Sequence, residues 1–184
     1  GRIVYFRGDT LPGDLPRELV QTRHFITSEY PFAFTNGVQA SYVEVDTDTG
    51  EVKLLKHWCV EDCGRIINPQ LVDEQIRGGI VQGLGGALFE EIHYDEDGQL
   101  LNGSMADYLV PMAAEMPDMV IGHVETPTKE SELGAKGAGE AGTAGAPAAV
   151  MNAINDALRP MNAQVSAMPF TPERILRALG TIED

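Results

Sequence analysis

The residues most suited to chemistry in this chain lie in a small-residue stretch, 134–147. Apart from Lys136 and Glu140, this stretch holds only glycine, alanine, threonine and proline. Small neighbours leave room for a ligand to reach a lone carboxylate, and restricted solvation raises a carboxyl pKa toward the range of a general base. Two interpretations of Glu140 stay open: a general base in a binding site, and a solvated glutamate in a loop.

Three glycines of the same stretch, Gly137, Gly139 and Gly142, have the spacing of the dinucleotide-binding fingerprint. That fingerprint requires an apolar strand immediately before the glycines, whereas residues 126–132 are polar. A phosphate-binding P-loop is excluded because glycine, rather than serine or threonine, follows Lys136. A small-residue loop is therefore favoured, and a dinucleotide-binding module is the weaker alternative.

A second candidate surface lies on a helix predicted to start at Asn68-Pro69 and to run to about Ile92. One stripe of this helix is apolar: Val72, Ile76, Ile80, Leu84 and Leu88. A second stripe holds Gln75, Gly79, Gln82 and Gly86. Each glycine inside a helix costs on the order of 1 kcal/mol relative to alanine, so several together need a compensating contact. Two explanations stand: close packing against another element, or a ligand held by the glutamine amides.

Other catalytic classes find no support in the sequence. The four histidines lack the spacing of metal ligands, so we expect no metal held by protein side chains. No serine occupies a nucleophile elbow. Cys59 and Cys63 lie on a predicted strand and its exit, about 13 Å apart at a rise of about 3.3 Å per residue. A disulfide needs Cα atoms within about 7 Å, so these two are expected to be free.

Composition narrows the classes of partner. The 184 residues carry 28 acidic and 13 basic side chains, a net charge of −15, and such a surface repels nucleic acid. Five glycines interrupt the longest apolar segment, 78–92, which excludes a membrane span. No signal peptide is recognisable, so we expect a cytoplasmic location.

The remaining elements are predicted from residue alternation and turn residues. We predict one hairpin over 38–45 and 52–60, a second over 92–94 and 99–101, a strand over 119–125, a helix over 147–158 and a short helix after Thr171-Pro172-Glu173. Helices and hairpins without regular βαβ alternation favour an α+β fold. We expect a mixed sheet whose hairpins pack on the glycine-rich helix and a C-terminal helix, with residues 1–36 as an irregular approach segment and 37–184 as the domain.

Three blocks carry a resemblance to a known family. The first block is 62–69 with 75–79 and 81–85. The second is Glu90-Glu91 with 107–111. The third is 136–140 with 169–175. In this order, they resemble the molybdenum-binding subunit of the xanthine oxidase and aldehyde oxidase family, which includes carbon monoxide dehydrogenases. The resemblance covers nearly everything from about Gly37 onward, and the chain is similar to the C-terminal part of that subunit.

The resemblance implies residue roles. The family's catalytic glutamate falls on Glu140, which would act as the general base. The glutamine that hydrogen-bonds the molybdenum–molybdopterin cofactor falls on Gln75, and Lys136, Gly137 and Gly139 would contribute to the same cofactor site. In this family the pterin holds the metal, and the cytosine dinucleotide form of the cofactor is one option.

The resemblance also implies partners. A small aldehyde, N-heterocycle or related substrate would be oxidised with oxygen from water, and electrons would leave through iron–sulfur clusters to FAD on partner subunits or domains. The remainder of the molybdenum subunit is a further implied partner, so the isolated chain is expected neither to retain molybdenum nor to turn over substrate. The alternatives are a non-catalytic acidic interaction domain that retains the fold and the dinucleotide-binding module.

Overall fold

The computed structural model describes residues 22–24, 26 and 33–183, so the larger part of the predicted approach segment 1–36 lies outside the described residues. The elements, in chain order, are strand β1 Asn36–Val45, strand β2 Val52–Asp62, helix α1 Pro69–Leu88, a 3-10 turn Ala113–Glu115, strand β3 Met119–His123, helix α2 Ala141–Leu158, a 3-10 turn Arg159–Met161 and helix α3 Pro172–Ala178. Strands and helices are interspersed without βαβ repetition, which confirms the α+β prediction.

The sheet has three strands in the order β1-β2-β3. β1 and β2 form the predicted antiparallel hairpin, and their loop is closed by Asp46, whose carboxylate accepts the backbone N–H groups of Asp48 and Thr49. β3 pairs in parallel with β2, which makes the sheet mixed, as predicted. The second predicted hairpin is wrong as a pair of strands: only one isolated bridge, Tyr94↔Leu100, forms. That segment is exposed and too short to bury a side-chain face, so little stabilises a longer ladder.

Helix α1 begins where the sequence predicts. Asn68 caps it by accepting the N–H of Leu71, and Pro69 takes the first helical position. The helix ends at Leu88 rather than near Ile92, because the N–H groups of Phe89 and Glu90 both donate to the carbonyl of Gly85. The apolar stripe points into the core, with Ile76, Ile80 and Leu84 fully buried.

Helix α2 begins at Ala141, six residues before the predicted start at Pro147. Its first turns are rich in glycine and alanine, a composition that resembles a loop when considered without its neighbours. Pro147 lies inside the helix and has no N–H to donate to the carbonyl of Thr143. That carbonyl points at α1, where a Cβ on Gly83 would lie 2.6 Å from it. Close packing between the two helices therefore extends α2 toward its N-terminus.

The glycines of α1 divide between the two explanations offered for them. Gly79 and Gly83 lie against the first turns of α2, and a Cβ on Gly79 would sit 3.2 Å from the backbone nitrogen of Thr143. Gly78 and Gly86 have no neighbour within 4 Å of an added Cβ. Packing against another element thus accounts for Gly79 and Gly83, whereas the described residues leave open space at Gly78 and Gly86.

The C-terminal block closes the end of α1. Phe170 is buried, and its N–H donates to the carbonyl of Ala87 at 2.7 Å. Thr171 caps α3 as predicted, by accepting the N–H of Arg174. The guanidinium of Arg174 donates to the carbonyl of Pro169 and pairs with Glu91. The second and third resemblance blocks therefore meet in one structural unit.

Within the part of the chain that the structure describes, no helix is both long and apolar enough to cross a membrane. In the same residues both cysteines are free, as predicted from their spacing, and both are buried.

Candidate active site

The loop of residues 134–140 is tied at its base to the segment that follows β2. The N–H of Lys136 donates to the carbonyl of Cys63 at 2.8 Å, and the N–H of Arg65 donates to the carbonyl of Gly134 at 3.0 Å. Gly64 and Gly134 both have a positive φ, near 70°, where a side chain would strain the backbone. The first and third resemblance blocks are therefore in direct contact.

A largely buried ion pair between Lys136 and Asp62 anchors this loop. The ammonium Nζ of Lys136 lies 3.4 Å from Oδ2 of Asp62, and the two side chains are 8% and 12% exposed. The other carboxylate oxygen of Asp62 accepts the N–H groups of Gly64 and Thr126. Hydrogen bonds from Thr126 and Gly64, together with Lys136, hold the pKa of Asp62 well below its usual range. Because the ammonium of Lys136 is paired with Asp62, this side chain holds the base of the loop in place.

Gln75 reaches the same loop from α1. Its amide Nε2 donates to the carbonyl of Gly139 at 2.9 Å, and Glu140 is the next residue in the chain. Gln75 is exposed, and no hydrogen bond to its amide oxygen Oε1 is found among residues 33–183. The glutamine of the helix and the glutamate of the loop, separated by 65 positions in the sequence, thus meet at one site.

Glu140 is the N-cap residue of α2, and its side chain makes no capping hydrogen bond. Its carboxylate is exposed. Gly137 and Gly139, just before it, have no atom within 4 Å of an added Cβ. The described residues therefore leave the carboxylate accessible beside bare backbone, and the shielding from water that would favour a general base has to come from a bound cofactor or from further protein.

The exposed groups of this site suit an organic cofactor. The amide oxygen of Gln75 and the carboxylate of Glu140 can accept hydrogen bonds from a flat heterocycle, and the described residues leave the backbone of Gly137 and Gly139 unobstructed. Over the described ranges, no group of three or more His, Cys, Asp or Glu side chains is placed to hold a metal ion.

The glycine spacing of the dinucleotide fingerprint does not form a phosphate cradle. Gly142, the third glycine, lies inside α2 and is packed directly on the backbone of Ile76 and Ile80. β3, the nearest preceding strand, ends at His123, fourteen residues before Gly137. The geometry therefore argues against the dinucleotide-binding alternative.

A buried polar group lies under the first turn of α2, on the inner face of the sheet. His57, Cys59 and Glu61 alternate along β2 and are at most 2% exposed. Burial lowers the pKa of His57 to about 4 and raises the pKa of the Cys59 thiol. Burial also raises the pKa of Glu61, although hydrogen bonds from Cys59 and Gln39 oppose this shift. Sequence inspection missed this group because each member is an isolated polar residue on an otherwise ordinary strand.

The neutral state of His57 predicts a pH-dependent stability. In the unfolded chain a histidine binds its proton near pH 6.5, whereas His57 in the fold does so only near pH 4. The free energy of unfolding should therefore fall as pH decreases through this window, by on the order of 2 kcal/mol after allowance for solvent screening. Urea unfolding at several pH values measures this effect.

The matched variant for this prediction is His57→Gln, which keeps a donor and an acceptor but does not titrate. It should lack the slope between about pH 6.5 and pH 4. Glu61 acts in the opposite sense, because its raised pKa makes its contribution decline as pH rises above 4.5. Comparison of the two proteins at each pH cancels that effect, and equal slopes in both would contradict the assignment.

The fold and the site together define a small cofactor-binding domain. Residues 16–117 match the family model described as a molybdopterin cofactor-binding domain. The chain is 45% identical over 181 residues to the nicotine 6-hydroxylase large subunit of Paenarthrobacter nicotinovorans, covering 98% of this chain and 22% of that protein. The chain belongs to the xanthine oxidase and aldehyde oxidase family, as part of its molybdopterin-binding subunit.

Further comparisons agree with this family. The chain is 35% identical over 146 residues to the carbon monoxide dehydrogenase large chain of Afipia carboxidovorans, covering 79% of this chain and 18% of that protein. The solved structure of quinoline 2-oxidoreductase from Pseudomonas putida 86 superposes with a TM-score of 0.77 at 44% identity, over 79% of this chain and 19% of that one. The chain thus spans about a fifth of the length of the relatives that it matches.

These comparisons confirm the family predicted from the three sequence blocks. The roles of Glu140, Gln75, Lys136, Gly137 and Gly139 remain predictions about individual residues. Asp62 has a part in the site that the sequence did not reveal, although it is the first residue of the first block. The sequence feature that could have indicated Asp62 is Lys136, the cation of the loop, because a buried cation needs a nearby acid.

Proposed function

We propose that this chain is the catalytic, molybdopterin-binding portion of the large subunit of a molybdenum hydroxylase. Such an enzyme oxidises a small aldehyde, N-heterocycle or related substrate with oxygen derived from water. The observation that carries the proposal is the hydrogen bond from Gln75 to Gly139, because it joins the predicted cofactor ligand to the residue before the predicted base. Relatives named as a nicotine hydroxylase and a quinoline oxidoreductase support an N-heterocyclic substrate.

Each residue has a defined task in this proposal. The amide of Gln75 would hydrogen-bond the cofactor, and Gly137 and Gly139 would let it approach their backbone. Lys136 contributes indirectly, because its ion pair with Asp62 holds the loop in place. When bound, the cofactor supplies the two-electron redox centre. Glu140 accepts the proton that water loses as its oxygen is transferred to the substrate.

The proposal includes further components. Relatives are named as a large subunit and as the gamma subunit of a dehydrogenase complex, so they assemble with other chains. For this protein we propose iron–sulfur and FAD partners that carry the electrons away, in the cytoplasm. The cytosine dinucleotide form of the cofactor remains one option.

Isotope labelling of the complete enzyme tests the proposed reaction. With an N-heterocycle or aldehyde as substrate and ¹⁸O-labelled water, the product should carry the label, and elemental analysis should find about one molybdenum per large subunit. Mass spectrometry of the product measures the first quantity. Label from molecular oxygen instead of water, or activity without molybdenum, would refute the proposed reaction class.

A further inference from the structure

A series of partly buried hydrogen bonds connects the sheet to the first turn of α2. Oγ of Ser41 lies 2.9 Å from Nδ1 of His57, and Nε2 of His57 lies 3.0 Å from Oε1 of Gln39. The amide Nε2 of Gln39 then donates to the carbonyl of Gly142 at 2.9 Å. This series of hydrogen bonds therefore ends at Gly142, two residues after Glu140.

The direction of these hydrogen bonds is determined by the groups themselves. The Gln39 amide oxygen can only accept, so Nε2 of His57 must carry the proton that it donates. In a neutral imidazole the other nitrogen, Nδ1, then accepts, and the Ser41 hydroxyl donates to it. The second amide hydrogen of Gln39 points toward Oε1 of Glu61, at 3.4 Å. The amide of Gln39 is thus held in one orientation, with its donor toward α2.

Two glutamine amides hydrogen-bond backbone carbonyls that flank Glu140 in the sequence. Gln75, from α1, holds the carbonyl of Gly139, and Gln39, from β1, holds the carbonyl of Gly142. We infer that Gln39 is a positioning residue for Glu140: with Gln75 it fixes both backbone ends of the segment that carries the carboxylate. This inference deepens the proposed function and rests on the role of Glu140 as the base.

The packing around Gln39 supports a positioning role over simple core filling. Gly145 lies directly over its amide, where an added Cβ would be 3.1 Å from Cδ and Nε2, so no side chain separates the helix from the amide. Apolar residues would fill the same volume without the cost of burying polar groups. What the half-buried amide of Gln39 adds is a directional hydrogen bond to Gly142, which fixes the first turn of α2 against the sheet.

Variants of the complete enzyme test this inference. Gln39→Met has a similar shape but no donor, and Gln39→Met/His57→Leu also removes the imidazole that the first change leaves unpaired. Because a 1 Å error in placing a reacting group costs about 10²-fold, we expect kcat to fall by about 10- to 100-fold in both. KM should change less than about twofold, because the substrate contacts are intact, and molybdenum content should be unchanged.

Hydrogen exchange provides a readout that does not depend on activity. In both variants, amide exchange over residues 134–146 should accelerate by about tenfold or more, since one anchor of the segment is lost. The matched control is Gln164→Met, an exposed glutamine outside the site, in which both kcat and exchange should equal those of the wild type.

The outcomes separate this inference from the function on which it rests. If Glu140→Gln abolishes turnover while both Gln39 variants keep wild-type kcat and exchange, the positioning role is refuted and the proposed function stands. If Glu140→Gln keeps full turnover, the proposed function itself is refuted. Should the single variant fold poorly, the double variant decides, because it leaves no unpaired imidazole. A fall in KM and kcat together with lost molybdenum would assign Gln39 to cofactor binding and would also refute the inference.

Discussion

Replacement of Glu140 by glutamine in the complete enzyme is expected to lower kcat by about 10²- to 10⁴-fold, the usual contribution of a general base. Glutamine has the shape of glutamate but cannot accept the proton. The Glu140 side chain makes no capping hydrogen bond, so the change should leave the loop and the start of α2 in place. Molybdenum content should therefore stay at the wild-type level. Steady-state kinetics and elemental analysis of the same preparation measure both quantities.

Glu132→Gln is the matched control, because it neutralises another exposed carboxylate a short distance before the loop. Its kcat should be within about twofold of the wild type, since the proposal gives this carboxylate no part in the proton transfer and salt screens an exposed charge. Two results would contradict the assigned role of Glu140. One is a Glu140→Gln enzyme with full molybdenum and near-normal kcat. The other is loss of the cofactor, which would make Glu140 a binding residue rather than a base.

Gly142→Ala should destabilise the 184-residue chain by about 2 kcal/mol or more, even though alanine favours helices. The added methyl group would be directed into the backbone of α1, at the carbonyl of Ile76 and 2.9 Å from the nitrogen of Ile80. Backbone atoms in a packed crossing cannot rotate away, so the helices would have to separate. Urea unfolding followed by circular dichroism gives the free energy of unfolding.

Gly86→Ala is the control for that substitution, because nothing lies within 4 Å of its added Cβ. With no clash to oppose helix propensity, it should stabilise the chain by up to about 1 kcal/mol. If Gly142→Ala stabilised the chain as much as Gly86→Ala did, the close approach of α1 and α2 would be disproved. Opposite signs in the two variants would show that backbone contact explains the glycine at position 142.

The sequence alone determined those features that depend on residues close together in the chain. Asn68 and Pro69 define the start of α1 because a cap and a first-turn proline act within one helical turn. Asp46 and Gly50 define the β1–β2 turn for the same local reason. The family followed from the order of three blocks, each containing residues that lie close together in the chain.

The tertiary structure alone decided how distant segments meet. The parallel pairing of β3, the extension of α2 to Ala141 and the burial of Gly79 depend on contacts between elements, which local propensity does not encode. The site depends on the same kind of contact: Gln75 reaches Gly139, and Gln39 reaches Gly142 across 103 positions of sequence. A hydrogen bond of this type depends on a distance in space, and only the folded packing of helices on the sheet brings its two atoms together.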